Sequence, residues 1–338
     1  MDISDFQKNI VQNLRGFYLT QIISYLGKSN YIDSIISKKK IDLNKDKSIF
    51  SKKVLKIIFD YFCNVGFSKK TNNYYILTEL GKDVLKRYSS YFVPHSYKNY
   101  FYNLEHLLKN DISKAIVDRE ENILGSGKTH LRYFIQAISF IKRKTKATSL
   151  IDIGIGNADF AINLNRQYNL KKIFGVDYSK ISVLRSIKSL NKNNINNKVI
   201  QCDGANVKYW SKKAKIFLKN ENIVISLWFL IHEISNNSES KIIKFLNNIK
   251  KQFPGATIII CELVNIPYEV LSNNKESTFI PEYLLFHQLS SQGVLSIEKL
   301  NLIIKKSNYK VIEKINFDEM KKNNTQKKYP SCVLLFLK

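Results

Sequence analysis

The chain has 338 residues, enough for about two domains, and its 44% hydrophobic and 24% charged residues sit near the globular average, which excludes a disordered or low-complexity protein. The formal net charge of +26 (54 Lys and Arg against 28 Asp and Glu) points at first to nucleic acid or an anionic surface. Two features weaken that reading. Only seven of the basic residues are Arg, the side chain suited to bidentate phosphate and base contacts, and the lysines are spread along the chain among many Asn and Ile. A solvated basic surface without a nucleic-acid role is therefore expected. No apolar run reaches the roughly 18 to 20 residues of a membrane helix; Ala256–Cys261 and Val333–Leu337 are strand-sized. The opening MDISDFQKNI does not read as a secretory signal, and four cysteines without a CxxC pair read as reduced thiols, so a cytoplasmic location is expected.

In chain order, residues 1–90 carry helical patterns. Phe17, Ile22, Ile23 and Leu26 form one apolar stripe, and Leu55, Ile58, Phe62 and Val65 a second that Gly66 ends as a C-cap would. Phe67–Lys70, the turn residues Thr71, Asn72 and Asn73, and Tyr74–Leu77 predict a two-stranded wing, after which Thr78 can cap another helix. Helices followed by such a hairpin make a winged-helix module. Residues 91–147 form an aromatic helical connector, with a Gly-Ser-Gly break expected at 125–127. Its rings are expected mainly to pack, and some to line a substrate pocket. Residues 148–338 alternate strands and helices. The predicted strands are Ser149–Ile153, Lys172–Val176, Lys198–Gln201, Ile223–Leu227, Thr257–Glu262, Tyr309–Asn316 and Cys332–Leu337, which implies an α/β, Rossmann-like, mostly parallel sheet of seven strands with a terminal hairpin.

The strongest local signal is Asp152-Ile-Gly154-Ile-Gly156-Asn-Ala158, a buried strand running through a glycine turn into a helix. Asp177 ends the next strand and is placed to bind ribose hydroxyls; Asp203, followed by Gly204, ends the third, where it can receive an adenine amino group. An acidic residue ahead of the glycines suits a cationic ligand and not a pyrophosphate. The pattern resembles motif I of class I S-adenosylmethionine (SAM) methyltransferases, with Ala158 where many members carry a third glycine. The winged helix, the Tyr74–Lys82 segment and the SAM domain together resemble the dimeric small-molecule O-methyltransferases. That resemblance implies a homodimer in which the N-terminal module is a dimerisation platform and does not bind DNA.

After the fourth strand, Ser226–Ile234 is similar to the O-methyltransferase segment whose histidine is the general base, and His232 falls on that position. A histidine at the C-terminal edge of a parallel sheet sits where ligands bind and titrates near neutrality. The family's His-Asp-Trp is here His232-Glu233-Ile234, and a second histidine, His287, lies in Pro281–Ser290. These segments more closely resemble the 2-oxo acid C-methyltransferases of the 2-ketoarginine and phenylpyruvate types, the latter using non-haem iron. The resemblance implies His232, His287 and Glu233 as catalytic residues and as ligands of an iron that would act as Lewis acid toward an enolised 2-oxo acid. Two alternatives stand beside it. One is metal-free O-methylation of a phenol or hydroxyl with His232 as general base. The other is a non-catalytic winged-helix protein binding SAM or nucleic acid.

Overall fold

The computed structural model describes residues 3–109, 111, 116–219, 221–235, 238–272, 280–321 and 327–338. It opens on a 26-residue helix, Ile3–Lys28. The inner face of this helix buries Leu19, Ile23 and Leu26 in a cluster with Ile32, Tyr88 and Phe92. Phe17, expected on that face, is instead 52% exposed, together with Leu14, Tyr18 and Tyr25. At about 1.5 Å per residue the helix spans close to 39 Å, longer than the small module beneath it can cover.

The wing forms where predicted. Strands β1 (Ser68–Thr71) and β2 (Tyr74–Leu77) pair antiparallel around Asn72, which takes the left-handed conformation that asparagine tolerates. Gly66, at φ +82°, follows the end of the helix Lys52–Asn64, and the N–H of Phe67 reaches back to the carbonyl of Phe62 at 2.8 Å, closing the turn as a Schellman cap. The Thr78 hydroxyl accepts from the N–H of Gly81 at 3.0 Å and so caps the helix Glu79–Lys86.

The connector departs from expectation at its glycines. The helix Arg119–Thr129, capped by Asp118, runs unbroken through Gly125-Ser126-Gly127. Tertiary contact outweighs glycine's poor helix propensity here. A Cβ on Gly125 would lie 2.9 Å from Phe92 and Val93 side-chain atoms, and one on Gly127 would collide with the Asp159 carboxylate. The glycines let this helix lie directly on its neighbours.

The C-terminal domain is a seven-stranded sheet. Its strands are β3 (Ser149–Ile153), β4 (Lys172–Asp177), β5 (Asn197–Gln201), β6 (Ile223–Trp228), β7 (Thr257–Leu263), β8 (Val311–Phe317) and β11 (Cys332–Leu337), in the order β5-β4-β3-β6-β7-β11-β8. A two-residue pair, β9 (Met320–Lys321) and β10 (Lys328–Tyr329), decorates the final hairpin. β3 to β7 are parallel, and β11 is antiparallel to both β7 and β8. The strands and the hairpin are those predicted, within about two residues at the ends. Hydrophobic clusters cover both faces, so the parallel strands are buried on both sides. From β3 the chain steps one way through β4 and β5 and the other way through β6 and β7. The crevice outside the carboxyl end of β3 is thus a topological switch point, where ligands bind in open α/β sheets.

Candidate functional site

The loop after β3 is shaped by its backbone. Gly154, Gly156 and Ala158 all have positive φ, at +77°, +55° and +65°. Ala158 holds this left-handed conformation fully buried, so alanine fits where a third glycine is common in the resembling family, at some conformational cost. The N–H groups of Gly156 and Ser179 donate to the two oxygens of Asp177 at 3.0 and 2.9 Å, which ties the loop to the end of β4. Asp152 is buried and accepts a 2.6 Å hydrogen bond from Ser226 on β6. Burial pushes its carboxyl up to about 7, the Ser226 bond pulling back and the nearby charges of Asp177 and Asp159 adding to the rise. Burial likewise raises Asp177. Both carboxylates therefore favour a cationic or hydrogen-bond-donating partner.

Asp152, Gly154, Gly156 and Asp177 line one cavity of about 150 Å³. Helix Arg119–Thr129 covers it: Arg119 bonds Glu233 at 2.8 Å, and the Asn157 side chain donates to the carbonyl of Ile123 at 3.2 Å. Asp203 and Gly204 do not line this cavity. Asp203 turns back on its own loop to accept from Ala205 at 2.8 Å, and Gly204 packs where a Cβ would meet Ile153. A second cavity, of about 760 Å³, lies among the connector, the helix Ile280–Leu289 and the final hairpin, and includes Tyr133, Leu263 and Tyr283. The two cavities have His130 and Phe229 in common.

His232 and His287 come together although 55 positions separate them, their rings 4.8 Å apart between centroids. Both are buried and neither lines either cavity. The carboxylate on His232 is not the expected Glu233 but Glu262, at the end of β7: its Oε1 lies 2.7 Å from Nδ1 of His232. Burial lowers the His232 pKa, but the charge and hydrogen bond of Glu262 outweigh it and the net shift is upward. Nδ1 of His287 donates to the Tyr283 carbonyl at 2.7 Å, the ring stacks on Tyr283, and burial with the neighbouring His232 pushes its pKa down to about 2. Of the expected iron ligands, the two imidazoles lie side by side while the Glu233 carboxylate is turned to Arg119. Each imidazole uses Nδ1 in a hydrogen bond. Among the described residues no group of three or more His, Cys, Asp or Glu side chains could hold a metal ion.

Glu262, Arg119, His130 and Phe229 were missed in the sequence. Glu262 carries a signal that could have found it, since it is an acidic residue closing a buried apolar strand, like Asp152 and Asp177. Arg119 and His130 have none, because helix packing brings them to the cavities, while Phe229 lies in the Ser226–Ile234 segment, where the signal lay in His232.

Residues 15–111 match the family described as the AprA winged helix domain. No curated protein matches the chain in sequence. Solved structures match over nearly the whole length. Mitomycin 7-O-methyltransferase MmcR is 10% identical, with 99% of this chain and 98% of that chain covered and a TM-score of 0.66. Human N-acetylserotonin methyltransferase in complex with SAM is 11% identical, with coverages of 100% and 98% and a TM-score of 0.66. PigF with S-adenosylhomocysteine (SAH) is 12% identical, with coverages of 97% and 98% and a TM-score of 0.60. The fold is thus a winged-helix domain followed by a Rossmann-like domain, the fold that these three proteins share.

Proposed function

We propose that the protein is a SAM-dependent methyltransferase of small molecules that works as a homodimer. The observation that carries this reading is the convergence of Asp152 and Asp177 with the positive-φ glycines 154 and 156 on one covered cavity at the switch point. A buried carboxylate at Asp152 suits the cationic methionine end of SAM and repels a pyrophosphate; Asp177 suits ribose hydroxyls. Two of the proteins of similar fold are named methyltransferases, and two hold SAM or SAH, which supports the same cofactor here.

Transfer to oxygen is the better-supported chemistry. SAM bound at the smaller cavity would supply its methyl group to the acceptor's hydroxyl oxygen and leave as SAH, and His232, which lines neither cavity and meets the larger one through Tyr283, would receive the acceptor's proton. Glu262 holds the His232 ring through Nδ1 and stabilises the imidazolium that results, as in other histidine–carboxylate pairs. Tyr283, which faces both His232 and the larger cavity, lies on the route between base and acceptor. C-methylation of a 2-oxo acid is less supported. It needs a cation or metal for the carboxylate, while Glu233 is engaged by Arg119, and Arg132, the basic residue among those lining the larger cavity, is engaged by Asp318.

Calorimetry with SAM and SAH tests the cofactor. Wild type is expected to bind both, and Asp177→Ala to weaken both by about ten- to a hundredfold, the loss of hydrogen bonds to a charged group. Binding of NAD in place of SAM would overturn the assignment. His232→Ala is expected to lose transfer to phenols while keeping SAM affinity. Loss of activity on exhaustive chelation would favour the metal-assisted reading instead.

A further inference from the structure

Two aromatic side chains, Phe229 and His130, form the wall between the cavities. Phe229, immediately after β6, has φ +50°, a left-handed conformation that a bulky side chain rarely adopts. Its N–H is held by the carbonyl of Cys261 at 2.8 Å, so the surrounding sheet imposes the conformation. Its ring stacks on His130, with centroids 4.0 Å apart and planes at 29°. His130 stands at the junction of the helices Arg119–Thr129 and Leu131–Lys144, and both rings line both cavities. Among the described residues the His130 ring makes aromatic contacts, with Tyr133, Phe134 and Phe229, and no hydrogen bond.

The larger cavity states what can approach this wall. At about 760 Å³ it has the size that takes a drug-sized ligand. Its polar rim is already satisfied. Both guanidinium nitrogens of Arg132 bond the Asp318 carboxylate, one of them also the Tyr133 hydroxyl, and Glu319 pairs with Lys328. An acceptor carboxylate would have to displace Asp318 to find a cation. An uncharged acceptor would lie on Leu263, Tyr283 and Phe229 with only its inner end needing a polar partner.

We propose that the His130–Phe229 pair is the acceptor-selecting element of the site: Phe229 spaces the acceptor from the cofactor, and the His130 imidazole hydrogen-bonds the hydroxyl that receives the methyl group. The selected class is a largely apolar, uncharged hydroxyl compound. Burial and the charge of Arg132 push the His130 pKa down to about 3, so the ring is neutral near pH 7 and has one donor and one acceptor nitrogen to offer. His130 is thus a contact and positioning group, too weak a base to take the proton itself. The inference rests on the methyl-transfer reading for the role of the hydroxyl, and on the cavity alone for its recognition.

The test uses the full chain with and without saturating SAH, and three probes on one skeleton: naphthalene, 2-naphthol and 2-naphthoate, followed by fluorescence titration. Wild type is expected to bind 2-naphthol about five- to tenfold more tightly than either other probe, the range of one buried hydrogen bond. His130→Ala should erase that preference while naphthalene affinity stays within about twofold, since naphthalene does not use the lost bond. His130→Gln, which keeps a donor and an acceptor, should recover part of it. If the alanine variant does not fold, His130→Phe fills the space without the hydrogen bond and replaces it. A preference that survives in the variants, tighter binding of 2-naphthoate than of 2-naphthol, or no binding of any probe would each overturn the proposal. Failure of wild type to bind SAH would instead overturn the cofactor reading, and the naphthol preference, measurable without SAH, still judges His130.

Discussion

Asp152 pulls stability and binding in opposite directions. Its carboxyl sits near 7 in the fold, against 3.8 as the ordinary value, because burial penalises its charge. Below 3.8 it is protonated in both folded and unfolded chains and costs nothing. From there to about 7 the folded state holds the extra proton, so stability falls as pH rises and levels off above 7. Asp152→Asn, which keeps a partner for Ser226, should therefore raise the melting temperature of the ligand-free protein by several degrees at pH 8, the equivalent of about 4 kcal/mol. The same variant should bind SAM more weakly. In wild type, SAM affinity should fall as pH drops below 7, by up to about tenfold per unit, because binding a cation there requires the carboxylate. Calorimetry from pH 5 to 8 checks this, and a flat wild-type profile would remove Asp152 from the site.

At the scale of elements, glycine acts in two ways. In the loop after β3 it supplies positive φ, as at Gly154 and Gly156; in helices it allows close approach. Gly81 is the sharpest example of the second: a Cβ there would stand 1.9 Å from the backbone carbonyl oxygen of Phe67, an atom that cannot move without shifting the wing. Gly81→Ala should destabilise the N-terminal module by about 3 kcal/mol, the cost of overpacking exceeding the helix-propensity gain of about 1 kcal/mol. Urea unfolding followed by circular dichroism reads the loss, and unchanged stability would mean that the wing and the helix Glu79–Lys86 do not pack as described. The cover helix Arg119–Thr129 applies the same logic nearer the site. Gly127 brings it onto Asp159, and Arg119 then reaches Glu233 across the cavity mouth.

For the whole molecule, the long first helix leaves Leu14, Phe17, Tyr18 and Tyr25 about half exposed on one side. Large contiguous apolar patches on a protein surface mark an interaction site. The homodimer proposed above would cover this face with a second copy. Light scattering at micromolar concentration should give a dimer mass, and Leu14→Glu with Phe17→Lys should give a monomer with SAM affinity retained. A monomer mass for wild type would count against the dimer. No helix of the described residues is long and apolar enough to cross a membrane.

The sequence by itself determined the strands, the wing and the switch-point loop, because continuous apolar runs, turn residues and glycines before a helix act locally and leave a local pattern. Asp152 and Asp177 were legible for the same reason: each is an acidic residue closing an apolar run. Tertiary structure decided what depends on distant parts of the chain meeting. It carried the helix through Gly125 and Gly127, turned Asp203 back on its own loop, and gave His232 to Glu262 while Arg119 took Glu233. It also brought Cys261 within 3.6 Å of Cys332 across paired strands, and set His130 against Phe229 between two cavities. Partner choice among buried charges and rings follows from which elements pack together, and packing is a property of the whole chain that spacing along the sequence does not encode.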